Sequence, residues 1–197
     1  SHSLVFVGLD DAFALGVLSS VFHSTWALAA GSRLGIDATP RYNKSSCFEP
    51  FPFPDPPAPL RQKIASVAEK IQSHREAALA RSEKVGMTIM YNVVDKLRAG
   101  AELSKTEREA HQVAACGTLR DLHDELDRLV AEAYGWPWSE PPATILDRLV
   151  ELHDRRLEDE RAGNVRWLRP EYQRPRFAKD AHVGAIAGDA AATEVVE

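Results

Sequence analysis

Apolar positions change their rhythm along this chain. Leu4-Val5-Phe6-Val7-Gly8-Leu9 is a short apolar run of strand length, followed by Asp10, Asp11 and Ala- and Leu-rich sequence up to Gly31. An acidic N-cap and a glycine stop predict one buried helix after that strand. Phe13, Val17, Leu18, Val21, Phe22 and Trp26 cover most of its circumference and leave a narrow polar stripe, so the helix needs partners on several sides. From Arg33 to Lys44 no period survives. Between Glu49 and Pro59, proline takes positions 50, 52, 54, 56, 57 and 59. That density forbids helix and central strand, and predicts an extended linker at a domain boundary.

Beyond the prolines the spacing becomes helical and stays so. Leu60, Ile64, Val67, Ile71 and Ala78 mark one face, and Ile89, Met90, Val93, Val94 and Leu97 mark a shorter one ended by Gly100. Ser104 and Glu107 have capping-box spacing at the head of a helix carrying Leu119, Leu122, Leu126, Leu129 and Ala133 as far as Gly135. Pro141 and Pro142 open another, with Ile145, Leu149, Leu152 and Arg156 in register and Gly163 closing it. Four amphipathic stripes with short connections predict a helical bundle. Small residues dominate from Ala178 to Glu197, which predicts a frayed tail.

Composition narrows the function classes. Of 197 residues 44% are apolar and 27% charged, so the chain folds, and its net charge of -5 leaves any polyanion binding to a local basic patch. Cys47 and Cys116 lie far apart in no Cys-x-x-Cys pair, against a disulfide framework or a structural zinc. Serines, His23 and Thr25 interrupt the apolar stretch from Phe13 to Ala30, so neither a membrane span nor a signal peptide is expected. The chain begins Ser-His-Ser and reaches its first methionine at Met87, while residues 4–9 already read as a strand, so it reads as part of a longer protein.

Two basic segments stand out. In the first, Arg33, Arg41 and Lys44 flank Asp37, Thr39, Tyr42 and Asn43, groups that reach phosphates or base edges; the alternative is a solvated surface loop. In the second, Arg161, Arg166, Arg169, Arg174, Arg176 and Lys179 face a single acid, Glu171, and interleave with Trp167, Tyr172 and Phe177. Such a segment suits a nucleic-acid surface, or an arm whose aromatics pin it to an acidic bundle. The carboxylates between Glu102 and Glu132 read as a solvated helix face. His123 and Asp127 have i, i+4 spacing but no third ligand at a suggestive distance, so no metal site is expected, and His111 and His153 read as ordinary helix residues. The chain has no Gly-x-Gly pair, nucleophile elbow, His-Glu-x-x-His or Walker loop, so no catalytic residue is assigned. Asp55-Pro56-Pro57-Ala58 copies the Asp-Pro-Pro-aromatic motif of amino-methyltransferases without its stacking aromatic.

Longer runs carry a family resemblance. Leu15-Gly16-Val17-Leu18-Ser19-Ser20, Trp26 to Leu34, Arg41-Tyr42-Asn43-Lys44-Ser45-Ser46-Cys47-Phe48-Glu49-Pro50-Phe51-Pro52-Phe53-Pro54, Met90-Tyr91-Asn92-Val93, Leu97-Arg98-Ala99-Gly100, Leu122 to Asp127, Ala133-Tyr134-Gly135-Trp136-Pro137 and Arg166 to Gln173 resemble, in that order, the MmeI-like adenine-specific DNA methyltransferases of restriction-modification systems. The resemblance reaches about Gln173. It implies a mainly α chain: residues 1–55 as the end of an α/β target-recognition domain, kept as a small strand-helix remnant, 56–175 as a C-terminal helical domain, and 176–197 as a disordered tail. It implies a cytoplasmic parent enzyme that methylates adenine N6 with S-adenosylmethionine, and a part of it that holds no cofactor itself. Its partners would be double-stranded DNA and an upstream methyltransferase domain of the same protein. Arg33, Asp37, Thr39, Arg41, Tyr42, Asn43 and Lys44 would face DNA, with Asp37, Thr39 and Arg41 at base-reading positions. The opposing reading is a non-enzymatic helical interaction module with a basic C-terminal arm.

Overall fold

The computed structural model describes residues 11–34 and 39–177. The strand expected over residues 4–9, Asp37, and the tail from Ala178 onward lie outside the described residues. The chain is mainly α, with one two-stranded sheet among the described residues. Its contacts divide it at Leu149 and Val150, within a helix.

The first unit begins with α1 (Ala12–Ser19) and α2 (Val21–Ala30). The sequence predicted one helix here, and the structure bends it by 62° at Ser20. Asp11 caps α1 by accepting from Phe13 N–H at 2.9 Å. The head of α2 is capped from elsewhere in the chain. Asp127 Oδ1 accepts from Val21 N–H at 2.8 Å, while the Ser20 hydroxyl turns back to the Val17 carbonyl at 2.7 Å. A carboxylate supplied 106 residues away thus takes up a backbone donor that the break leaves open. Apolar periodicity continues through the bend and cannot reveal it.

Next come β1 (Ser32–Leu34) and β2 (Thr39–Arg41), antiparallel, and a single turn of π-helix over Lys44–Phe48. Strands of three residues are too short to show a period, so the stretch that read as aperiodic loop is a hairpin. The proline stretch that follows is extended as expected, and much of it is buried. Phe51, Pro52, Phe53 and Pro54 are buried, Phe51 and Phe53 meet edge to face at 5.1 Å, and the Tyr134 hydroxyl donates to the Pro52 carbonyl at 3.0 Å. Prolines lack the N–H that would need a partner in the core, so an extended proline run can be buried cheaply. Both sides of it share one hydrophobic core, and the boundary drawn at residues 55 and 56 falls inside the first unit.

The helices of the bundle are α3 (Ala58–Arg81), α4 (Met87–Ala99), α5 (Lys105–Ala114), α6 (Cys116–Tyr134) and α7 (Pro142–Arg161). Ile64, Val67 and Ile71 of α3, Met90, Val93 and Val94 of α4, and Leu119, Leu126 and Val130 of α6 fill the centre. Gly16 lets α1 lie against α3, because a Cβ there would stand 2.8 Å from Ile64 Cγ2. The Ser104–Glu107 capping box forms as the spacing predicts, and Gly100 ends α4 at φ 64°. One expectation fails between them and Gly135. The helix expected from Ser104 onward breaks at Ala115, which takes the left-handed conformation at φ 45°, and α5 and α6 pack as separate helices. His74 on α3 donates to the freed Ala114 carbonyl at 2.7 Å.

The second unit starts at Val150 and holds the end of α7 and the short α8 (Pro170–Phe177). Gln173 Oε1 accepts from Arg169 N–H at 2.6 Å at the head of α8, and Arg176 donates to the Tyr172 carbonyl at 2.9 Å near its end. No single helix among the described residues is long and apolar enough to cross a membrane.

Candidate nucleic-acid interface

The hairpin that carries the first basic segment is seated by backbone approach. Gly31 closes α2, and a Cβ at that position would meet the Ala27 carbonyl oxygen at 2.6 Å and the Arg41 carbonyl oxygen at 2.8 Å. Only glycine fits, so β2 lies directly over the end of α2. Register then assigns the faces. Ser32 pairs with Arg41, Arg33 with Pro40 and Leu34 with Thr39. Directly paired residues share a face and successive ones alternate, so Arg33 and Arg41 project to opposite faces of the ribbon. The two arginines that the sequence grouped as one patch do not converge.

Beyond the strands the alternation is anchored. The Asn43 side-chain amide donates to the Ser32 hydroxyl at 2.8 Å, on the Arg41 side, and the Tyr42 hydroxyl meets His23 Nε2 of α2 at 3.0 Å. Phe51 approaches the His23 ring edge to face at 4.5 Å. Burial lowers the His23 pKa to about 4. Burial, then the nearby Cys47, pushes Tyr42 up to about 12. Both groups are neutral at pH 7, and they form an uncharged pin between hairpin and helix. His23 Nδ1 is buried with no hydrogen-bond partner. Tyr42 and Asn43 therefore hold the ribbon, while Arg33, Arg41 and Lys44 are exposed. Lys44 pairs with Glu49 at 2.8 Å across the π-turn, and a pair as open as this contributes at most about 1 kcal/mol. Thr39 lies in β2, paired with Leu34, and Asp37 falls outside the described residues.

Comparison with protein-family models, curated proteins and solved structures finds no match.

A polar cluster inside the bundle escaped the sequence reading. Arg75 of α3 donates through two nitrogens to the Tyr91 hydroxyl of α4, through Nε at 2.7 Å. Both lone pairs of that oxygen are thereby engaged, so its proton is left for His123 Nε2 of α6, 2.8 Å away. Burial, then Arg75 and Arg98, lowers the His123 pKa to about 4 against a weaker pull from Asp124. Burial also raises Asp127 to about 6, opposed by the Val21 N–H and by Arg98, whose guanidinium stands 3.6 Å away. The i, i+4 spacing of His123 and Asp127 was the one available signal. It marks two residues engaged separately, His123 by Tyr91 and Asp127 by Val21. Among the described residues no three His, Cys, Asp or Glu side chains gather as a metal site would require.

Of the arm, Trp167 is half-buried and Arg166 pairs with Asp159 at 2.7 Å, whereas Tyr172, Arg174 and Arg176 are exposed. Arg176 lies over the Tyr172 ring at 3.7 Å, and Arg169 stands 5.1 Å from the same ring.

Proposed function

We propose that this chain is a DNA-recognition and scaffolding part of an S-adenosylmethionine-dependent adenine-N6 DNA methyltransferase of the restriction-modification type. The observation that carries the reading is the run from Arg41 to Pro54 that resembles the MmeI-like enzymes. It supplies the last residue of β2, the pin at Tyr42 and the buried proline segment. A two-stranded ribbon is of a size that the major groove of DNA admits, and here it is seated on the end of α2 by close backbone approach. Methyl transfer to adenine needs S-adenosylmethionine and a pocket for the flipped base. Asp55-Pro56-Pro57 runs straight into α3, whose first residue is Ala58, so no ring is present to stack on a flipped base. In this reading an upstream methyltransferase domain of the same protein holds the cofactor and the target base, acting on double-stranded DNA in the cytoplasm.

Within this reading the hairpin residues have different duties. Arg41 shares its face with Ser32 and Asn43 and can offer a fixed guanidinium fork to guanine O6 and N7. Arg33, on the other face, and Lys44 suit phosphates. Expression of the complete reading frame in a methylation-deficient bacterium, with N6-methyladenine mapped by sequencing, tests the reading. Methylation at one defined site is expected, and Arg41→Ala should relax a single base pair of it while weakening cognate binding by about 1 to 3 kcal/mol. Lys44→Ala should weaken cognate and random DNA alike. Absence of adenine methylation from the complete frame would overturn the reading.

A further inference from the structure

The second unit carries a basic arm of its own. Between Arg161 and Phe177 there are five arginines and one acid, Glu171, in a chain whose net charge is -5. Elsewhere in the described residues cations commonly meet carboxylates, as in Lys96 with Glu107, Arg98 with Asp124 and Arg148 with Glu140. Arg166 follows that habit by pairing with Asp159. Arg161, Arg174 and Arg176 do not, and form no ion pair among the described residues.

What α8 offers these cations is an aromatic support. Tyr172 is 45% exposed, the Arg176 guanidinium lies 3.7 Å from its ring centroid, and Arg169 approaches the same ring at 5.1 Å. Cation–π contact engages a guanidinium through its face, whereas its N–H donors lie at its edge. Two like charges on one ring repel each other, and a phosphate shared between them would relieve that repulsion while accepting charge-assisted hydrogen bonds. Neighbouring Leu168 is 44% exposed and adds apolar surface without adding negative charge.

We propose that α8 binds the phosphate backbone of duplex DNA through Arg169, Arg174 and Arg176, as a contact that holds DNA without reading its sequence. The identity of the polyanion rests on the DNA reading above, whereas the cationic surface does not. Fluorescence anisotropy of the full chain with a labelled duplex of random sequence, between 50 and 200 mM salt, measures it. Losing three phosphate contacts should lower the salt slope by about three counterions. The wild type should therefore lose roughly 40-fold more affinity over that range than Arg169→Ala/Arg174→Ala/Arg176→Ala. Far-UV circular dichroism confirms that the triple variant keeps its helices. Tyr172→Phe keeps the ring and should bind as the wild type does, while Tyr172→Ala should bind more weakly.

An unchanged slope in the triple variant, or a wild type that does not bind duplex at 50 mM salt, overturns the proposal. So does arginine-dependent binding to vesicles of anionic phosphatidylglycerol without binding to duplex. The DNA-methyltransferase reading fails by a different measurement, the absence of adenine methylation from the complete frame, so the two can fail separately.

Discussion

Lowering the pH should destabilise this fold through two histidines, and Asp127 should oppose them. His23 and His123 are each 5% exposed, and burial lowers both from 6.5 to about 4. The unfolded chain therefore binds these protons first, so the stability that the neutral rings provide is fully present above pH 6.5 and is lost as the pH falls toward 4. Asp127, 4% exposed and raised from 3.8 to about 6, has the opposite sign. The folded state keeps its proton where the unfolded state has released it, so this group adds stability as the pH falls from 6 toward 3.8. At 1.36 kcal/mol for each pH unit traversed, each histidine costs roughly 2 to 3 kcal/mol by pH 4.5, while Asp127 returns about 2. The net loss is then about 3 kcal/mol, a large share of the roughly 5 to 15 kcal/mol that hold a typical domain. Glu107 does not disturb this window. Hydrogen bonds from Lys96 and Ser104 hold its carboxyl at about 2, so its contribution is lost only below pH 4.5.

Urea denaturation followed by circular dichroism at pH 7, 6, 5 and 4.5 reads the effect directly. Asp127→Asn keeps an oxygen for Val21 N–H but no longer titrates, so its loss over the same range should deepen to about 5 kcal/mol. A flat wild-type profile would refute the neutral-histidine argument. An Asp127→Asn profile parallel to the wild type would refute the opposing role of the carboxylate.

Three further outcomes are expected. Gly16→Val should destabilise by about 1 to 3 kcal/mol, because its added carbons would press on Ile64 and Ala68 between α1 and α3; an unchanged urea midpoint would deny that close contact. Ala115→Gly should raise the melting temperature slightly, by relieving a left-handed conformation worth about 1 kcal/mol to an L-residue. Ser104→Ala should lower stability by about 1 kcal/mol, since it removes the oxygen that caps Glu107 N–H, and Ser104→Asp should restore most of it.

The sequence reading succeeded where one element repeats its signal over several turns. Ile64, Val67 and Ile71 recur on one face of α3, and Gly100 and Gly135 stop α4 and α6 with a conformation that glycine adopts without strain. It failed where partners come from afar. Ser20 breaks a helix because Asp127 is there to receive Val21 N–H, and nothing near Ser20 announces that acceptor. Ala115 turns left-handed without glycine, with its neighbour's carbonyl held by His74, forty residues earlier in the chain. The prolines read correctly as extended, but their burial was not legible, because local chemistry fixes backbone shape while burial depends on Tyr134 and the helices around them. At the candidate site, composition could gather Arg33 and Arg41 into one patch, but only pairing register shows that they occupy opposite faces.

The reach of Tyr134 back to Pro52 also sets an order of events during synthesis. Phe22 packs against Tyr134 and Trp136 at 5.4 and 6.0 Å, so α2 and the proline segment both wait for the end of α6. A ribosome adding roughly 5 to 20 residues per second takes on the order of 4 to 16 s to pass from Pro57 to Trp136. During that interval Phe22, Phe51 and Phe53 have none of their late partners and stand open to chaperones or to neighbouring nascent chains. A stall before Trp136 would therefore leave the hairpin's seat unfinished, whatever helices had already formed around it.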